Sequence, residues 1–147
     1  MRRQAGFTLI EIAIVIVILG LLLGGVLKGQ ELITSARVRN LISQNDGVKA
    51  AYFGFLDRYR ALPGDYGLAT TNIAGATING SGNGLITAAG VAGAAENEHI
   101  AVWEHLSKAG FINGSYVYDE GPASSSSTPT SPYGRYFRLI YDSGYGT

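Results

Sequence analysis

The chain has 147 residues, enough for one modest domain, and its 11 basic and 11 acidic side chains balance. That balance leaves no basic surface large enough to hold a nucleic-acid backbone, so no nucleic-acid partner is expected. The absence of cysteine excludes disulfide staples, thiolate metal sites and cysteine nucleophiles together.

The apolar residues are concentrated at the N-terminus. Residues 7–27 read FTLIEIAIVIVILGLLLGGVL, and as a helix they would rise roughly 31 Å, enough to cross a hydrocarbon core. A secretory signal peptide has a shorter apolar region followed by a small-residue cleavage site, which Gly24 and Gly25 could mimic. Arg2 and Arg3 precede the run, and the positive-inside bias keeps that end cytoplasmic. A single acidic residue, Glu11, sits five positions into the apolar run. An ionisable group inside a span is costly unless it reaches the interface or a partner cation, which marks Glu11 as functional.

Gly6-Phe7-Thr8-Leu9-Ile10-Glu11, after a basic leader and before an apolar helix, resembles the type IV prepilin signature. The resemblance covers about the first 30 residues. It implies cleavage after Gly6 by a membrane-embedded prepilin peptidase, N-methylation of the new terminus Phe7, and an assembly role for Glu11, whose carboxylate neutralises the amine of a neighbouring subunit. It also implies a homo-oligomeric helical filament, an inner-membrane precursor, and a pilus or secretion assembly machinery as partner. That fits the physical problem: a buried carboxylate is tolerable when paired and costly when alone. Burial of the apolar side chains drives polymerisation at about 25 cal/mol per Å². Many members carry a proline in the second half of this helix. Here stand Gly20, Gly24, Gly25 and Gly29, which either permit local melting on assembly or close helix packing.

Beyond Lys28, Leu41, Val48, Tyr52, Phe55, Tyr59 and Leu62 fall on steps of three and four, so the helix is predicted to continue with one packed face until Pro63-Gly64 stops it. From Phe7 to Leu62 it would run roughly 84 Å. The parts are then a leader (1–6), a transmembrane and assembly helix (7–27), its amphipathic continuation (28–62) and a small periplasmic or extracellular head (63–147).

Within the head, 67–95 reads as a long surface loop. A short helix is expected over 94–109, with His99, Val102, Trp103 and Leu106 on one face and Gly110 as its stop. His99 is expected to pack and His105 to be exposed. Strands are predicted at 115–118 and 135–141, separated by a flexible serine- and proline-rich connection over 121–134 that could accept O-linked sugars. The fold class is therefore α+β: a long N-terminal helix packed on a glycine-rich head with a short helix and a small antiparallel sheet. So few strands suggest further chain beyond Thr147 or a partner that completes the sheet. Leu62-Pro63-Gly64-Asp65 and the stretch from Trp103 to Ile112 also resemble a bacterial group of prepilin-like proteins.

Asn79-Gly80-Ser81-Gly82-Asn83-Gly84-Leu85-Ile86 has the alternating oxygen donors of a calcium loop. Asp65, Asn79, Ser81 and Asn83 are its candidate ligands, with Glu96 or Glu98 needed to supply charge. An Asn/Gly turn is the default, and no cofactor is expected. No catalytic triad, phosphate loop or metalloprotease motif occurs, and Asp119-Glu120 reads as a turn. The chain is thus expected to be no enzyme but a filament subunit of a type IV pilus, with a type II secretion pseudopilin or a membrane-tethered binding module as alternatives.

Overall fold

A computed structural model describes residues 6–87 and 97–141. Two compact units divide the chain, residues 1–39 and 40–147. Three helices occur among the described residues: α1 (Leu9–Tyr59), α2 (Ala69–Asn72) and α3 (Glu98–Lys108).

In the first unit the described residues are helical from Leu9 onward, and nearly every side chain is exposed, including Phe7 at 85% and Leu9 at 88%. The helix is unbroken through Gly20, Gly24, Gly25 and Gly29. It begins at Leu9 rather than Phe7 because Thr8 caps it, as set out below. At its other end it stops at Tyr59, short of the expected Leu62. Arg60 adopts φ 53°, a left-handed conformation outside the helix, and Pro63 disfavours helical geometry at Leu62.

In the second unit the expected helical stripe is the one that packs. Ala51 and Phe55 are buried, and Val48, Tyr52, Tyr59 and Leu62 lie against the same core with Trp103, Val102 and Leu106 of α3. The Phe55 ring is the hub, with ring centroids 4.6 Å from Tyr59 and 6.0 Å from Phe111, and a stacked contact at 6.3 Å with His105.

α3 is buried almost all round, from Ile100 through Leu106, where the sequence suggested a single packed face. Its residues 94–96 as predicted lie outside the described residues. The reason for its burial is the 77–87 segment, which covers the side that periodicity assigned to solvent. The helix ends as Gly110 implied: Gly110 N–H donates to the Ser107 carbonyl and Phe111 N–H to that of Leu106, at 3.1 and 2.9 Å. These two bonds define a Schellman motif, with Phe111 and Leu106 both in the core. Gly110 has φ 80° and open space around the site of a Cβ. Gly110→Ala should therefore destabilise the head through backbone geometry alone, by about 1 kcal/mol. A urea titration of wild type and variant reads this directly.

The segment 67–87 is not the featureless surface loop expected. It contains α2 and buries Ala69, Ile73 and Ile86; 88–96 lies outside the described residues. At Gly80 a Cβ would sit 2.2 Å from the Gly64 carbonyl oxygen and 2.3 Å from Asp65 backbone atoms, so only glycine fits this crossing.

The predicted antiparallel sheet does not form among the described residues. What forms is one isolated antiparallel bridge, Thr130 with Tyr136. Residues 136–140 do alternate between exposed and half-buried, with Phe137 and Leu139 toward the core. Their would-be partner cannot sustain a ladder. Phe137 N–H donates to the Pro129 carbonyl at 3.0 Å, but Pro129 has no N–H to return and Pro132 lacks one as well. In the 115–118 segment, among the described residues, one backbone N–H meets a backbone carbonyl, Val117 to Ser126 O, while Tyr116 and Tyr118 N–H go to the Ser107 and Glu104 side chains. The serine run between them is not a loose tether but a hydrogen-bonded turn, in which Thr128 N–H reaches Ser124 O at 2.9 Å and Ser127 and Thr128 are buried.

Candidate assembly and processing site

Gly6, Phe7 and Thr8 precede α1 in non-helical conformation and are all exposed. Among the described residues, its chain neighbours apart, no atom comes within 4 Å of the place a Gly6 Cβ would occupy, so no packed side chain covers Gly6.

Thr8 and Glu11 form a reciprocal cap. Glu11 N–H donates to Thr8 Oγ1 at 3.3 Å, and Glu11 Oε2 accepts from both the Thr8 N–H and the Thr8 hydroxyl at 2.7 Å. This is the capping box, Thr-x-x-Glu, in which two helix-end donors are satisfied by each other's side chains. The carboxylate is thereby held against the first turn of α1, one residue from Phe7 through Thr8. Among the described residues Oε1 accepts no hydrogen bond. One oxygen organises the helix start while the other remains available to a cation. The Thr8-x-x-Glu11 spacing is a cap signal that the reading of Glu11 as a charge in an apolar span passed over.

The head contains a second cluster of carboxylates. Asp65, Glu98 and Glu104 are all buried, and each accepts hydrogen bonds from loop backbone. Asp65 takes Asn83 N–H at 2.9 Å, Gly84 N–H at 2.8 Å and the Ser81 hydroxyl at 3.1 Å. Glu98 takes the N–H and hydroxyl of both Ser81 and Thr87, at 2.7–2.9 Å. Glu104 takes Thr77 N–H and hydroxyl at 2.9 Å, and Tyr118 N–H at 3.2 Å.

Of the calcium candidates, the fold brings Asp65 and Ser81 together but not as cation ligands. N–H donors converge on carboxylate oxygens, whereas a calcium site needs oxygens converging on empty space. Asn79 Oδ1 is turned to Thr70 and Asn83 Oδ1 to Leu85. No group of three or more His, Asp or Glu with metal-holding geometry occurs among the described residues; Glu96 lies outside them. Asp119 closes an exposed turn by accepting Gly121 N–H at 2.9 Å.

Of the two histidines, His105 departs from the exposed position expected of it, while His99 is partly packed as expected. His105 is fully buried, and His99 is only half-buried. His105 Nδ1 accepts Gly64 N–H at 2.9 Å and Nε2 faces the Ile78 carbonyl at 3.0 Å. The neutral Nε2–H tautomer satisfies both. Sequence could not reveal this, because the partners are backbone groups far along the chain.

These groups make the head acid-sensitive. Burial holds His105 below its ordinary value of 6.5, outweighing its contact with Ile78 and the charges of Glu104 and Glu98. Burial and the nearby Arg138 lower His99 too. For Glu98 burial pushes upward, but the four bonds from Ser81 and Thr87 prevail and lower it from 4.5. For all three the unfolded chain takes up protons first on acidification, so each contribution to stability is lost as pH falls. The histidine contribution declines below pH 6.5 and that of Glu98 below 4.5. Thermal melts followed by circular dichroism should show the head transition moving to lower temperature from pH 7 to pH 5, and again below 4.5. Replacing His105 with glutamine should flatten the first step.

Comparison with known families bears on the N-terminus. Residues 1–27 match the prokaryotic N-terminal methylation motif. The chain carries the type IV pilin and pseudopilin signature. The matched stretch contains Gly6, Phe7 and Glu11 together with the apolar start of α1, the one helix among the described residues that is long and apolar enough to cross a membrane. Such a signature points to a structural protein and fits an inner-membrane precursor. No curated protein and no solved structure matches the chain.

Proposed function

We propose that the chain is a structural subunit of a type IV pilus or a pilus-like filament. It is made as an inner-membrane precursor with its N-terminus cytoplasmic. Prepilin peptidase cuts it after Gly6, Phe7 is methylated, and the product polymerises through its N-terminal helix. The observation that carries this reading is the methylation motif over residues 1–27. The apolar side chains of the first unit, which are exposed along nearly its whole length, supply the driving force once lipid no longer covers them. Cleavage also removes Arg2 and Arg3, leaving 9 basic against 11 acidic side chains.

Intact-mass measurement of the native protein tests the proposal. The expected species begins at Phe7 and carries one N-methyl group. A chain that retains Met1 in cells containing the peptidase would mark the N-terminal helix as a simple membrane tether. Electron microscopy of cells with and without the gene then separates a pilus, whose surface fibres disappear on deletion, from a short secretion pseudopilus.

A further inference from the structure

Three asparagines in the chain are followed by glycine: Asn79, Asn83 and Asn113. Asparagine before glycine is chemically labile, because no side chain shields the glycine nitrogen from the asparagine amide carbon. Reaction requires that the glycine N–H be free to give up its proton and that the asparagine amide be free to rotate.

The fold denies both to the first two pairs. Asn79 Oδ1 accepts from the N–H and hydroxyl of Thr70 at 2.9 and 3.0 Å, and Gly80 N–H donates to Tyr66 O at 3.0 Å. The backbone of Gly64 and Asp65 presses against Gly80, so the chain there cannot turn toward the amide. Asn83 Oδ1 accepts Leu85 N–H at 2.8 Å, and Gly84 N–H is held by the Asp65 carboxylate at 2.8 Å. A negative charge against that N–H opposes its deprotonation.

Asn113 and Gly114 are exposed, in the bend that follows α3. Among the described residues neither the Asn113 amide nor the Gly114 N–H makes a hydrogen bond. We infer that Asn113 is the head's site of spontaneous deamidation. The Gly114 nitrogen bonds to Asn113 Cγ, the Cγ–Nδ2 bond breaks, and ammonia leaves with the proton given up by Gly114. Water then opens the cyclic imide to aspartate or isoaspartate, with no enzyme or cofactor. The product places a negative charge at a groove lined by Gln44, Phe111, Tyr116 and Phe137. Subunits thus acquire an irreversible, age-dependent acidic mark on the head.

The test uses the full-length chain in detergent, incubated at mildly alkaline pH, with peptide mapping for a mass gain of about one dalton at each asparagine. A parallel incubation in urea exposes all three pairs. In the folded chain Asn113 should react roughly tenfold or more faster than Asn79 or Asn83, because those must first open locally. In urea the three rates should converge. Asn113→Gln, whose cyclisation needs a larger ring, should remove the fast phase without altering the fold. Comparable folded-state rates at Asn79 or Asn83, or an Asn113 that stays intact when folded, would overturn the inference.

Discussion

Phe55→Ala should cost the head about 3–5 kcal/mol, the usual range for emptying a buried aromatic site. Typical domain stabilities are about 5–15 kcal/mol, so the variant should lie at or near the edge of folding. The size follows from what the ring touches. Phe55 is fully buried and meets Tyr59, Tyr66, Phe111 and His105 through its faces and edges. Those partners come from α1, from the turn after Pro63, from α3 and from the segment beyond it. Alanine would leave a cavity among four separate pieces of chain, and the interior does not collapse to fill such a gap. Phe53 is the internal control: it lies on the same helix but is 63% exposed, and Phe53→Ala should change stability by no more than about 0.5 kcal/mol. Urea titration followed by Trp103 fluorescence measures both. Equal midpoints for wild type and Phe55→Ala would mean that the head core is not organised around this ring.

What the sequence made legible was contiguous or periodic. The Gly6 to Glu11 run could be read because its parts are adjacent. The Val48, Tyr52, Phe55, Tyr59 face could be read because a helix repeats, and Gly110 because a helix stop is local. What failed depended on distant partners. His105 is buried because Gly64 and Ile78 supply a donor and an acceptor to its two ring nitrogens, 41 and 27 residues away in the chain. Glu98, considered only as a charge for a cation loop, and Glu104, not singled out at all, are needed by the 77–87 segment: it forms no strand, so its N–H groups must find acceptors elsewhere. The oxygen-rich 79–86 stretch resembled a cation loop for the same reason. Its small residues let the backbone wrap closely around carboxylates, while the Ser81 hydroxyl donates to Asp65 and Glu98 and the Asn79 and Asn83 amide oxygens accept from Thr70 and Leu85. In the segment 135–141 the alternation was real, but a strand is a property of two partners, and the stretch that lies opposite it lacks N–H donors at Pro129 and Pro132, so pairing stops at a single bridge.

Glu11 offers the other large effect, and the structure sharpens how to measure it. A carboxylate that both caps α1 and pairs with an amine would be lost twice over in Glu11→Ala, so that variant alone cannot separate the roles. Glu11→Gln does separate them. Glutamine can still accept the Thr8 N–H in a capping box, while its charge is gone. Thr8→Ala is the converse, removing the cap hydroxyl that Glu11 binds at 2.7 Å but leaving the charge. With pairing between Glu11 and a neighbour's amine as the assembly contact, both Glu11 variants should be cleaved normally and yet yield almost no filament. Thr8→Ala should still polymerise, with a frayed helix start and at most a reduced yield. Intact mass reports cleavage, and sedimentation of sheared filaments reports assembly. If Glu11→Gln assembled as wild type does while Thr8→Ala failed, the contact that matters would be the helix cap and not the charge. The cost of an acidic group in an apolar span would then be met within each subunit rather than between two.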